Sequence, residues 1–437
     1  MKDDTRLILD LVRRGAEEAS VCTEPAMIAF AAAKAREILG EPPTRIEASL
    51  SPGVMKNCLA VGLPGTDRRG PKVAAALGAA LGTPEMGLRA LRSVGPDTVR
   101  EAHRLLDAGV VGADCDARRV GVYCLVRMAG AEHTAEVTID GGHSRITCIK
   151  ADGKAVVYTE GQSVEGTSRD DQSPAAVKRL SYERLFEVAI SADEGEIQYL
   201  REGALSAVKL AQESLRGDGV FLDFPRALSS VLESDDDKAG HKAGCGLTDR
   251  ARLEVAAAVS ARMAGVVWPV LTSCGSGNQG ISVSIPVLLA AGSVEAGPSR
   301  EVRALLLAHA TNLYIKAFMG TVSAVCGAIS AGAGVAASVC WLMGGDEGQV
   351  EGAVQAVIGN LYGMVCDGAK GSCAMKCAAA VTEGILAAQV ASKGVYPQGE
   401  AGIVGRSLKD TVTVMGSLSQ VLNGVDPLII GIRGSDH

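Results

Sequence analysis

"RVGVYCLVRM" (119–128), followed by "AEVTI" (135–139), "SRITCIK" (144–150) and "AVVYT" (155–159), is where the chain changes character. These runs are rich in β-branched and apolar residues. Asp140-Gly141-Gly142-His143 and Asp152-Gly153 stand between them as hairpin signals. A small antiparallel sheet is expected, with flanking helices that include 174–191. Outward from it the patterns are helical: 5–20, 24–39, 71–82, 97–107, and almost everything after about residue 195. "EPPTRIEASLSPGVMKN" (41–57) reads as a linker into a Gly/Pro-rich loop. No repeat of 20–50 residues is present. The fold class expected is α+β: a large Ala/Gly-rich helical domain built from both ends of the chain (1–107 and 195–437), with a small antiparallel β-rich domain inserted at 108–194.

Composition narrows the function classes. Of 437 residues 47% are apolar, but only 3% are aromatic, and 53 are glycine. Small residues let helices approach closely. A net charge of −7 without a basic stripe argues against nucleic-acid binding. Arg13, Arg14, Glu17 and Glu18 interrupt any apolar core of an export signal, so the twelve cysteines read as reduced thiols in a cytoplasmic protein. Ala317–Gly345 has no charged residue and is long enough to span a bilayer. Gly, Ala and Ser dominate it, and it lacks an aromatic belt and Lys/Arg flanks; helices of a protein core are expected there, not a membrane span. The acidic run Glu233-Ser234-Asp235-Asp236-Asp237 and the following "KAGHKAGCG" (238–246) read as a solvated loop.

The chemistry-bearing segment is "GMVCDGAKGSCAMKC" (363–377), with Cys366, Cys373 and Cys377 threaded by glycine. It has no Cys-x-x-Cys knuckle for zinc. Thiolates at varied spacing hold iron–sulfur clusters, and the glycines expose backbone N–H groups suited to an anion. Proximity alone selects Cys366, Cys373 and Cys377; buried packing cysteines are the alternative. "TSCGSGNQG" (272–280) resembles a backbone cradle for a small anion. Cys22 lies at the mouth of a helix that Thr23 would cap and Pro25 would open, where the helix dipole would lower a thiol pKa. Glu24 either orients Cys22 or simply favours the helix N-terminus. None of the six histidines lies in a motif that points to catalysis.

"SCGSGNQGISVSIP" (273–286), "IKAFMGTVSAVCGAISAGAG" (315–334) and "IGNLYGMVCDGAKGSC" (358–373) follow the order of the iron–sulfur serine dehydratase α-region and resemble it. "VCTEPAMIAFAAAKA" (21–35) and "SPGVMKN" (51–57) resemble the L-cysteine desulfidase family, which is related to that region. The resemblance implies α,β-elimination of L-cysteine to hydrogen sulfide, pyruvate and ammonia. It implies a [4Fe–4S] cluster on Cys326, Cys366 and Cys373 with one iron open, and Cys22 as the proton-abstracting thiolate. Cys377 then becomes a packing residue.

For the substrate carboxylate, Ser273, Gly275, Ser276, Asn278 and Gln279 are candidate donors, with Lys56 and Asn57 closing the other side. Lys370 would balance cluster or substrate charge; Asn312 and Lys316 face the site from an otherwise uncharged helix. L-serine is the alternative substrate. A pyridoxal-phosphate amino-acid lyase would need a Schiff-base lysine, for which Lys242 is the nearest upstream, and a tetraglycine cup that does not follow. A non-catalytic iron–sulfur sensor would need a docking surface. The partner expected is a small amino acid, with a homodimer as the oligomeric expectation.

Overall fold

A computed structural model describes residues 2–158, 174–216, 223–238, 246–399 and 402–434. The chain opens with α1 (Lys2–Gly15), a two-residue strand β1 (Glu18–Ala19) and α2 (Thr23–Leu39). β2 (Arg45–Leu50), α3 (Pro52–Cys58), α4 (Pro71–Leu81) and α5 (Pro96–Asp107) follow. Then come β3 (Val111–Cys115), β4 (Tyr123–Ala129), β5 (Thr134–Asp140), β6 (Ile146–Ala151) and β7 (Lys154–Tyr158). The remainder is helical: α6 (Tyr182–Ser191), α7 (Glu194–Arg216), α8 (Asp223–Lys238) and α9 (Leu247–Met263), then strand β8 (Val270–Leu271). α10 (Gly277–Ser293), α11 (Pro298–Met319), α12 (Gly327–Leu342), α13 (Glu347–Leu361), α14 (Cys373–Ala391), α15 (Leu408–Leu422) and α16 (Val425–Gly434) complete it. The fold is α+β, as the patterning implies.

The strands expected from 119–159 form β4 to β7, and their sheet has the order β3-β2-β4-β5-β6-β7. All pairs are antiparallel except β2 with β3. The sheet is therefore mixed, because α3 to α5 carry the chain from β2 over to a parallel neighbour. Alternation decides its faces. Ile46, Ala48 and Leu50 of β2 and Ala135, Val137 and Ile139 of β5 are buried and belong to one apolar cluster with α2 and α4.

Most buried apolar residues from Val21 to Ile149 share that cluster, whereas Cys22 and Val61 join α1 and the segment from Val177 onward in a second, larger one. The 174–191 region packs on α11 and not on the sheet. "EPPTRIEASLSPGVMKN" is not a linker, since it contains the inner strand β2. α1 stops at Gly15, short of residue 20, because the next residues pair with β8. The run 233–237 continues α8 and is not a loop. Residues 239–245, with Lys242, lie outside the described residues.

The helical unit is organised around α12, whose residues from Ala328 to Cys340 are all buried. α10, α11, α13 and α14 surround it. Its lack of charge is thus the signature of a helix enclosed on all sides. α14 alone among the described helices has the length and apolarity to cross a bilayer, and half of it is buried in the fold. At Gly332 a Cβ would stand 2.4 Å from the carbonyl oxygen of Ala380, so α12 and α14 meet backbone to backbone. Gly332→Ala is expected to destabilise at the upper end of the ~1–3 kcal/mol typical of overpacking, outweighing a helix-propensity gain of about 1 kcal/mol. A lower denaturation midpoint in urea would record it.

Candidate active site

Long-range strand pairing sets the N-terminal side of the site. β1 pairs with β8, Thr272 N–H donates to Glu17 O at 2.9 Å and Gly275 N–H donates to Gly15 O at 3.0 Å. Trp268 N–H donates to Ser20 O at 3.1 Å. These bonds bring the mouth of α2 against the mouth of α10. On the opposite side Val325 bridges Val365, Cys326 N–H donates to Met364 O at 2.9 Å, and Cys366 N–H donates to Ala324 O at 2.7 Å. The two cysteine segments are therefore zipped together although forty residues separate them.

One cavity of about 830 Å³, its mouth included, lies between these halves. Cys22, Cys326, Cys366 and Cys373 all line it, together with Cys274 and Cys377. Four helix N-termini meet there: Cys22 caps α2, Ser276 caps α10, Cys326 caps α12, and Cys373 begins α14. Each contributes the positive end of its dipole, so the cavity favours anions; the first N–H groups of α14 are already bonded to the carbonyls of Lys370, Gly371 and Ser372. Several buried polar atoms in its wall have no protein partner: Arg262 Nε, His143 Nε2, Asn278 Oδ1 and Gln279 Oε1. Buried polar groups are normally satisfied; orphans concentrated in one cavity point to a ligand.

Gly275, Ser276, Asn278, Gln279, Asn57 and Lys316 also line it. Other sequence candidates do not. Ser273 Oγ accepts from Asn312 Nδ2 at 2.8 Å, which places both behind the wall. Lys56 is held by Asp426 at 2.6 Å in a fully buried ion pair. Lys370 turns back onto Asp367, and the lysine of this segment that lines the cavity is Lys376. It donates to Val365 O at 2.7 Å and pairs with Asp367.

Thr23 is not the cap of α2; Cys22 itself occupies that position. Nor does the helix dipole lower its thiol pKa. Burial first, and the Glu24 carboxylate second, push Cys22 well above the ordinary thiol value, with Arg262 opposing. Cys22 Sγ donates to Glu24 Oε2 at 3.3 Å, so Glu24 does more than complement a helix end. Cys366 and Cys326 form a hydrogen-bonded pair in which Cys366 sheds its proton more readily, helped by Cys326 and then by Lys56 and Lys376 against the cost of burial.

Two wall residues carry no signal in the sequence. Arg262 ends α9, only 2% exposed, and its guanidinium lies where a side chain at Gly277 would be, 2.3 Å from an added Cβ. Burial lowers its pKa, with Cys22 and Glu24 opposing. His143 comes from the β5–β6 hairpin, in the "DGGH" that reads as a turn and nothing more. It lines the cavity although no motif in the sequence marks it.

Among the described residues, no three Cys, His, Asp or Glu side chains are arranged to hold a single metal ion. The donor set is instead soft thiols backed by lysines and helix N-termini, which fits a thiolate-bound anionic cluster.

Residues 164–423 match the serine dehydratase alpha chain family. A thiol-lined, anion-favouring cavity between a helical unit and a sheet unit is thus that of a dehydratase- or lyase-type enzyme. The chain belongs to the serine dehydratase alpha chain family. It also matches, over nearly full length, proteins named UPF0597: 36% identical over 434 residues in Moorella thermoacetica, covering 98% of each chain. The relative in Bacteroides thetaiotaomicron is 32% identical over 440 residues, 99% of this chain and 98% of the relative. In Clostridioides difficile the figure is 31% over 429 residues, 97% and 98% of the two chains.

Proposed function

We propose that this protein eliminates the β-substituent of a small L-amino acid, L-cysteine being the substrate best matched and L-serine the second, in the cytoplasm. The observation that carries this reading is the convergence of Cys22 with Cys326, Cys366 and Cys373 around one cavity. Cys326, Cys366 and Cys373 would hold a [4Fe–4S] cluster, which when bound supplies a Lewis-acidic iron for the leaving group. Lys376 and Lys56 stand behind the thiols and offset their charge.

The chain's own residues bind and deprotonate. The N–H groups of Gly277 and Asn278 in the first turn of α10 have no carbonyl of their own helix to reach. With the Arg262 guanidinium beside them they form a seat for the substrate carboxylate. Gly277 is required there, since any side chain would strike Arg262. Cys22, across the cavity, takes the Cα proton. The enclosed wall limits water and favours small side chains.

Arg262→Gln is expected to raise KM by about 10–100-fold, in line with ~1.5–3 kcal/mol for a charged hydrogen bond, with a smaller change in kcat. The test of the reading as a whole is anaerobic purification followed by iron and acid-labile sulfide analysis, with hydrogen sulfide and pyruvate assays on L-cysteine and L-serine. A broad brown absorbance with turnover supports it; a borohydride-sensitive yellow chromophore, or pyruvate from neither amino acid, sinks it.

A further inference from the structure

We propose that Glu24 and His143 are positioning residues for Cys22: Glu24 draws the proton from its thiol, and His143, reaching in from the sheet unit, governs how readily Glu24 takes it. This rests on the elimination reading only in assigning Cys22 the Cα proton.

The three groups form a line. Cys22 Sγ donates to Glu24 Oε2 at 3.3 Å. Thr23 Oγ1 donates to the same oxygen at 3.1 Å. Glu24 Oε1 accepts from Asn57 Nδ2 at 2.8 Å and lies 4.0 Å from His143 Nε2, an atom with no hydrogen-bond partner. The Glu24 side chain is 12% exposed and that of His143 10%. No local motif links them: His143 is fixed by the turn in which Gly141 N–H donates to Val122 O at 3.0 Å and Arg145 N–H donates to Gly142 O at 3.2 Å.

The step balances within the chain. The S–H bond of Cys22 breaks and an O–H bond forms at Glu24 Oε2, giving a thiolate and a carboxylic acid. The thiolate takes the Cα proton, the Cα electron pair becomes the new double bond, and the leaving group departs with its bonding pair. The proton held on Glu24 leaves with it, as hydrogen sulfide or water, and thiol and carboxylate are restored.

The charged and titratable groups facing this line are Arg262 from α9, Lys316 from α11 and Cys58 from α3. Burial, and then Lys316, hold His143 below the ordinary histidine range, with Glu24 opposing. At neutral pH His143 is thus uncharged. On acidification it gains a proton, pairs with Glu24 and weakens Glu24 as a base. Activity should fall on the acid side, below the usual histidine value.

The experiment reads Cys22 directly in the full-length protein: iodoacetamide labelling of the Cys22 peptide, quantified by mass spectrometry across pH. Glu24→Gln should lower kcat by about 100-fold, because the acceptor for the thiol proton is lost, even though the resting thiol, freed of the carboxylate charge that raises it, should show a labelling midpoint at lower pH. Glu24→Asp, which keeps the charge, should label as wild type does. His143→Gln should abolish the acid limb of kcat/KM. A labelling midpoint unmoved in Glu24→Gln, or an acid limb that persists in His143→Gln with native circular dichroism, overturns the proposal. If the wild type eliminates neither amino acid, the elimination reading fails while the labelling curves still decide whether Glu24 controls Cys22.

Discussion

Cys22→Ala is expected to cost at least about 10²–10⁴-fold in kcat, the range for loss of a positioned general base, and to leave iron–sulfur absorbance unchanged. The separation of outcomes follows from where Cys22 sits. It caps α2, reaching the cavity from the side opposite the zipped segments of Cys326 and Cys366, and its own hydrogen bond goes to Glu24. Removing its sulfur takes nothing from the thiols that would hold the cluster. Parallel Cys→Ala changes at 326, 366 and 373 should behave oppositely, losing absorbance and turnover together. Absorbance lost in Cys22→Ala would assign Cys22 to the ligand set and contradict its role as base.

The second large effect is on stability. Asp426→Ala leaves the Lys56 ammonium uncompensated in a fully buried site, where the pair is 2.6 Å apart. Breaking a buried ion pair from one side costs about 3–5 kcal/mol, a large share of the ~5–15 kcal/mol by which domains are stable. The double variant Lys56→Met/Asp426→Leu should recover most of it, since the desolvation of both charges is removed together. Chemical denaturation of the two variants measures the difference. Asp426 lies on α16 and Lys56 on α3, so the pair also fastens the C-terminal helix to the sheet unit. Equal losses in the single and double variants would show that apolar side chains do not fit the site.

The strand runs of 119–159 were legible because alternation and Asp-Gly turns are local features. The uncharged stretch 317–345 read correctly as core helix, its Gly and Ser content being what close helix packing requires. β2 was missed: "RIEASL" is six residues with one face buried, set behind two prolines that suggest a linker. The parallel pairing with β3 cannot be inferred from either strand alone. Among site residues, Cys366, Cys373 and the glycine loop stand out by type and spacing, whereas Cys326 enters only through the family resemblance. Lys56 is expected to close the far side of the substrate site and Lys370 to balance charge in the cysteine loop, while Asn312 is a candidate because it shares an otherwise uncharged helix with Lys316. The partners proved to be Asp426, Asp367 and Ser273, not a substrate.

By itself the sequence determined most of the helices, the strands from 119 to 159, and which loops carry thiols and glycine. Those properties depend on neighbours within one or two turns. Only the tertiary structure decided that four helix mouths share one cavity, that His143 enters it from a hairpin, and that Arg262 lines it. It also decided that burial and the neighbouring Glu24 carboxylate raise the Cys22 thiol pKa. Desolvation and charge–charge interaction depend on what lies across space, and that is set when the two halves of the fold close on each other.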